Sequence, residues 1–143
     1  MTIAVDFDGT IVRHAFPDIG KPVPFAIRTL LQLQEEGHRL ILWSVREGKL
    51  LEDAVAYCRE QGLEFYAVNQ NYPEEKPREA SSQACRKLSV DMFIDDRNVG
   101  GLPDWGLIYK MIHEHKTYEQ CMQTMDERYE EETPSLWKRL FGR

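Results

Sequence analysis

Four short apolar runs, each closed by a polar residue, constrain this chain more than any other feature. Residues 3–5, 40–43 and 92–94 have the length and the β-branched or aromatic content of buried strands, and 63–68 is a more mixed fourth. Stretches with helical spacing lie between them. Ile27, Leu30, Leu31 and Gln34 follow the i, i+3, i+4, i+7 pattern, with Gly37 where a C-terminal stop belongs. Leu51, Ala54, Val55 and Cys58 make a second stripe, stopped by Gly62, and a weaker third helix spans 78–88. This alternation predicts right-handed βαβ crossovers and a parallel sheet covered on both faces, which is the α/β class.

After the last run, residues 104–115 and 117–131 read as helices. Tyr118, Cys121, Met122, Met125 and Tyr129 form one apolar stripe on the second, expected to pack into a core. A single domain over 1–131 is expected, followed by a tail, 132–143. The tail's Leu136, Trp137, Leu140 and Phe141 stand among basic residues and suit a docked or frayed terminus.

With 143 residues and 42% hydrophobic content, the chain can build one sizeable core without metal or disulfide staples. Lys and Arg number 18 against 24 Asp and Glu, a formal charge of −6, which argues against nucleic acid or an anionic membrane as main partner. Cys58, Cys85 and Cys121 are odd in number and lack CxxC spacing, so neither a zinc site nor a disulfide framework is expected, and a reducing cytoplasm fits. No apolar run approaches the ~18 residues of a membrane span, and no basic leader precedes the first strand.

In a parallel α/β sheet, ligands bind beyond the carboxyl ends of the strands. The residues directly after the four runs are Asp6, Ser44, Asn69 and Asp95, all polar. The first run continues as Asp6-Phe7-Asp8-Gly9-Thr10, and in extended backbone i and i+2 point the same way, so two carboxylates are expected to converge there. Gly9 permits a sharp departure of the chain. Asp95 and Asp96 add two more acids at this edge, and a hard divalent cation is the simplest remedy for such crowding. Magnesium is the expected ion.

DFDGT resembles the first motif of the haloacid dehalogenase (HAD) superfamily, LILWS its second, and MFIDD its fourth. IAVDFDGTIV, ILWSVREGKLLEDAV, LEFYAVN and MFIDDRNVGGLPDW further resemble a branch of short bacterial HAD-like hydrolases, a likeness that extends to about residue 108. The resemblance implies a doubly wound, mostly parallel Rossmannoid sheet without a cap domain, and a magnesium-dependent phosphatase. It implies that Asp6, already ionised at neutral pH, attacks phosphorus in line, and that Asp8 moves the proton, first to the leaving alcohol and then from water. Magnesium would be held by the Asp6 carboxylate, the Asp8 backbone carbonyl and Asp95, with Asp96 supporting the metal shell. Ser44 would donate its hydroxyl to a phosphate oxygen, or cap the next helix, or both. Ser at this position, where the motif has Thr, keeps the hydroxyl.

Gly9, Thr10, Arg46 and Asn69 are candidate substrate contacts, with Arg46 suited either to a second substrate anion or to a surface salt bridge. The superfamily's phosphate-site lysine has two candidates. Lys76 opens the helix before the last strand on the catalytic edge, whereas Lys87 precedes that strand directly, as a lysine does in the short branch. Residues 9–43 hold only a flap, 11–23, and one helix, so no cap fits between the motifs. An uncapped site implies a large substrate, a small phosphate ester closed in by the flap, or a lid lent by a second subunit in a homo-oligomer. Arg13, His14 and Lys21 on the flap are either substrate contacts or ordinary solvated loop charges. Two other functions combine similar parts: a signalling receiver domain, whose acids come in a different order, and a nucleic-acid end phosphatase, whose basic groove is not evident at this charge.

Overall fold

The computed structural model describes residues 1–75 and 87–125. Four parallel strands, β1 (Thr2–Val5), β2 (Arg39–Leu42), β3 (Ala67–Val68) and β4 (Met92–Ile94), form one sheet in the order β3-β2-β1-β4. Helix α1 (Ala26–Glu35) connects β1 to β2 and α2 (Gly48–Glu60) connects β2 to β3. The fold is α/β and Rossmann-like. The chain winds outward from β1 through β2 to β3, then returns to place β4 on the other side of β1. The winding therefore reverses beside β1, between the carboxyl ends of β1 and β4, where this class of sheet opens a crevice.

Alternation builds the core. On one face Ala4 of β1, Ile41 of β2 and Ala67 of β3 pack with Leu88, flanked by Trp43, Val90 and Phe93. Ile3, Val5, Leu40 and Leu42 alternate with them in sequence and are also fully buried, so both faces of the central strands are covered. Such double burial is why these runs read as continuously apolar. The mixed run at 63–68 yields only a two-residue strand, with the Tyr66 amide donating to the Leu40 carbonyl just ahead of it.

Both expected helix stops are present. After α1 the Gly37 amide donates to the Gln34 carbonyl and the His38 amide to that of Leu33; after α2 Gly62 and Leu63 do the same to Arg59 and Cys58. These paired bonds need a left-handed residue, supplied by Gly37 at φ 86° and Gly62 at φ 84°. The third expected helix falls at 78–86 on residues outside those described, while Lys87 and Leu88 are not helical.

The chain divides into two compact units, Met1–Trp105 and the residues from Gly106 onward, where the sequence suggests one domain to residue 131. Helix α3 (Trp105–His113) begins at the division, and the Trp105 indole donates to the Thr10 carbonyl inside the first unit. In the second unit residues 118–125 are helical, with Cys121 buried but Tyr118 and Met125 about half exposed, so only part of the expected stripe is inside. The tail, 132–143, lies outside the described residues. No helix among the described residues is long and apolar enough to cross a membrane.

Candidate active site

Asp6 leaves β1 at the carboxyl edge, its amide donating to the Ile94 carbonyl at 2.9 Å. Val5 pairs with Ile94, so the residues immediately beyond β1 and β4 stand abreast. One carboxylate oxygen from each of Asp6, Asp95 and Asp96 lies within 4.8 Å of the others. Thr10, fully buried, ties this group together: its hydroxyl donates to Asp6 Oδ2 at 3.2 Å and accepts the Asp96 amide at 3.1 Å. Asp95 is oriented locally, its Oδ1 accepting the Arg97 amide at 2.8 Å.

Burial raises Asp6 from the ordinary 3.8 to about 7; hydrogen bonds from the Phe7 backbone and Thr10 oppose this, while Asp95 and Asp96 add to it. In the absence of a cation, Asp6 is therefore partly protonated at neutral pH, not fully ionised as expected from its residue type. Asp96 Oδ1 is buried without a hydrogen-bond partner among the described residues, which leaves a carboxylate oxygen available to a cation. These three clustered carboxylates could hold a hard cation.

Asp8 does not join them. Directly after Asp8 the chain curls: the amides of Thr10, Ile11 and Val12 all reach the Phe7 carbonyl. The Asp8 carboxylate accepts two bonds from Arg46, from Nε at 2.6 Å and Nη2 at 2.7 Å. Arg46 is only 1% exposed, so it is neither a surface salt bridge nor a ready anion hook. Its remaining donors go to flap carbonyls, Nη1 to Pro17 at 2.9 Å and Nη2 to Asp18 at 2.8 Å.

Asn69 bonds to the neighbouring strand's backbone. Its Oδ1 accepts the Ser44 amide and its Nδ2 donates to the Ser44 carbonyl, both at 2.8 Å, so its amide clamps the tip of β2. Ser44 is 3% exposed, and its hydroxyl accepts the Arg46 amide at 3.2 Å. Lys87 is exposed, with its ammonium 5.8 Å from the centre of the Phe93 ring. Lys76 lies outside the described residues.

The flap, 11–23, is held at its base by bonds from Arg13 N to Lys21 O and from Val23 N to Ile11 O. From it His14 Nε2 donates to Asp96 Oδ2 at 2.8 Å. Gly9 makes this approach possible: it sits at φ 92°, and a Cβ there would run into both the Asp96 carboxylate and the His14 ring. The sequence marks His14 as a flap residue, either a substrate contact or a solvated charge. No local signal announces its bond to a residue so distant in the chain.

No family model matches this chain, and no curated protein matches it. A solved structure of a conserved protein from Bacteroides thetaiotaomicron is similar at 63% identity, with a TM-score of 0.75 over 83% of this chain and 94% of that one.

Proposed function

The chain belongs to the family of that conserved Bacteroides thetaiotaomicron protein, a kinship that carries no activity with it, and from the site itself we propose a magnesium-dependent phosphomonoester hydrolase of HAD type. The observation that supports this best is the gathering of Asp6, Asp95 and Asp96 where the winding of the sheet reverses. The first of these acids opens the DFDGT motif and the other two end MFIDD.

In this reading the Asp6 carboxylate attacks phosphorus, the bond from phosphorus to the ester oxygen breaks, and the leaving oxygen takes a proton from Asp8. Water then attacks the aspartyl phosphate and gives its proton to Asp8, releasing inorganic phosphate. Arg46 can keep one Asp8 oxygen while the other exchanges the proton, so the carboxyl stays placed through both half-reactions. The Thr10 hydroxyl orients Asp6, and the Ser44 hydroxyl is the proposed donor to a phosphate oxygen. Asp6, Asp95 and Asp96, with the Asp8 backbone carbonyl, would hold magnesium, which when bound supplies the charge that offsets the phosphoryl oxygens and favours ionised Asp6. Lys76 and Lys87 both stay candidates for the phosphate-site lysine. The substrate is proposed to be a small phosphate ester under the flap, and the compartment the cytoplasm.

The test is release of inorganic phosphate from p-nitrophenyl phosphate by the purified protein with and without magnesium. Turnover that needs magnesium and disappears in Asp6→Asn supports the reading. A stable phosphoprotein that never turns over would replace it with receiver-type signalling, and hydrolysis confined to 3′-phosphorylated oligonucleotides would replace it with end processing.

A further inference from the structure

Arg46 heads the fully buried side chains by size, and it is charged. Its guanidinium lies between two aromatic rings, 5.2 Å from the centre of Phe7 beneath the loop and 5.3 Å from that of Phe16 on the flap. The same group joins three separate pieces of chain. Nε and Nη2 hold the two oxygens of Asp8, Nη1 and Nη2 hold the carbonyls of Pro17 and Asp18, and the residue's own amide returns to Ser44 Oγ at the tip of β2. Every guanidinium nitrogen is engaged, in a planar fork that a lysine cannot reproduce. Burying a charge is a costly way merely to fasten a loop, since apolar side chains of similar volume do that as well or better.

We propose that Arg46 is a positioning residue that makes flap closure and the placing of Asp8 a single event. When the tip of the flap sits over the site, its two carbonyls complete the guanidinium's set of acceptors, and the fork then holds Asp8 in the orientation proton transfer needs. When the tip lifts, two acceptors are lost and the Phe16 ring leaves the cation, so Asp8 loses its fixed partner. Proton transfer is thereby restricted to the closed flap. The catalytic half of this inference rests on the phosphatase reading above, while the mechanical half does not.

The test uses the full chain and Arg46→Lys, which keeps a buried cation beside Asp8 but cannot reach the flap as a fork. Arg13, exposed on the flap, is a tryptic site whose amide is tied to Lys21 in the closed form. Cleavage after Arg13 should be at least about tenfold faster in the variant, because proteolysis tracks the open population. In single turnovers, which read the first half-reaction alone, release of the alcohol from an alkyl phosphate, whose leaving group must be protonated, should fall about 100-fold or more, while p-nitrophenyl phosphate, which leaves without a proton, should lose far less. A purely structural role would lower both esters alike. If the lysine variant does not fold, Asp8→Asn/Arg46→Met, with neither charge orphaned, is compared with Asp8→Asn for the same cleavage. Wild-type cleavage rates together with equal losses on both esters would overturn the proposal. A wild-type protein that hydrolyses neither ester overturns the catalytic half along with the phosphatase reading, whereas faster cleavage at Arg13 supports the latch on its own.

Discussion

Asn69 closes both backbone hydrogen bonds of Ser44 with one side-chain amide, at 2.8 Å each, from a residue that is itself left-handed at φ 53°. The fork pairs an oxygen with an N–H and an N–H with a carbonyl, which fixes the orientation of the amide. Asn tolerates this backbone conformation better than most residues do.

Replacing Asn69 separates the two contributions. Asn69→Gly should lose the clamp but not strain the backbone, at a cost of about 1–3 kcal/mol. Asn69→Ala should cost roughly 1 kcal/mol more, because a Cβ disfavours positive φ. Urea unfolding of the two variants measures the difference, and equal stabilities would remove the backbone argument.

Asp6 predicts a pH dependence of the opposite sense to that of a salt-bridged carboxylate. Its folded value, about 7, lies above the ordinary 3.8, so its contribution is most favourable below about 4 and is lost as pH rises through about 7. The penalty at pH 8 is on the order of a few kcal/mol, since each tenfold change in proton affinity corresponds to ~1.4 kcal/mol. Asp6→Asn should therefore raise the melting temperature at pH 8 and change it little at pH 4, with magnesium removed by a chelator.

Magnesium, under the proposed function, competes with that proton. In the proposed reading, adding it should raise the melting temperature of the wild-type protein more at pH 8 than at pH 5, and Asp95→Asn should blunt the effect. Calorimetric scans at two pH values decide this, and a rise that is the same at both would break the link between Asp6 and the ion.

Gly9→Ala is expected to damage the site without touching a carboxylate. The substitution forces a Cβ into Asp96 and His14 and strains a residue at φ 92°, a combined cost of about 2 kcal/mol or more. Chemical denaturation gives the stability change, and a neutral result would mean that the flap retreats freely.

Burial pushes the Cys58 thiol up to about 12, so little thiolate exists at pH 8. Iodoacetamide should leave Cys58 unmodified in the native protein and label it in denaturant, as peptide mass spectrometry would show. Native labelling at a rate near that of a free thiol would contradict the packing of α2.

Much of the architecture is legible because apolar β-branched runs and glycine stops are local signals. Asp6, Asp95 and Asp96 are legible from their places just past the ends of strands, since topology puts those positions on the ligand-binding edge. The partner of Asp8 is not legible, because Arg46 stands 38 residues away in the chain and the curl that gathers three amides on the Phe7 carbonyl has no clear signature. The sequence leaves Arg46 as either a substrate contact or a surface salt bridge because its burial depends on a flap that arrives from 28 or 29 residues earlier in the chain. Asn69 is rightly located at the edge, but its partner is the neighbouring strand's backbone, which composition cannot reveal.

The non-sequential order of the sheet also sets when the acids meet. β1 and β2 lie within the first 42 residues, but Asp95 and Asp96 follow β4. The pairings of β1 with β2 and of β2 with β3 involve none of this mutual repulsion, and the electrostatic cost falls on the docking of a three-residue strand. In the proposed reading, that is the pairing in the sheet that stands to gain most from a bound cation.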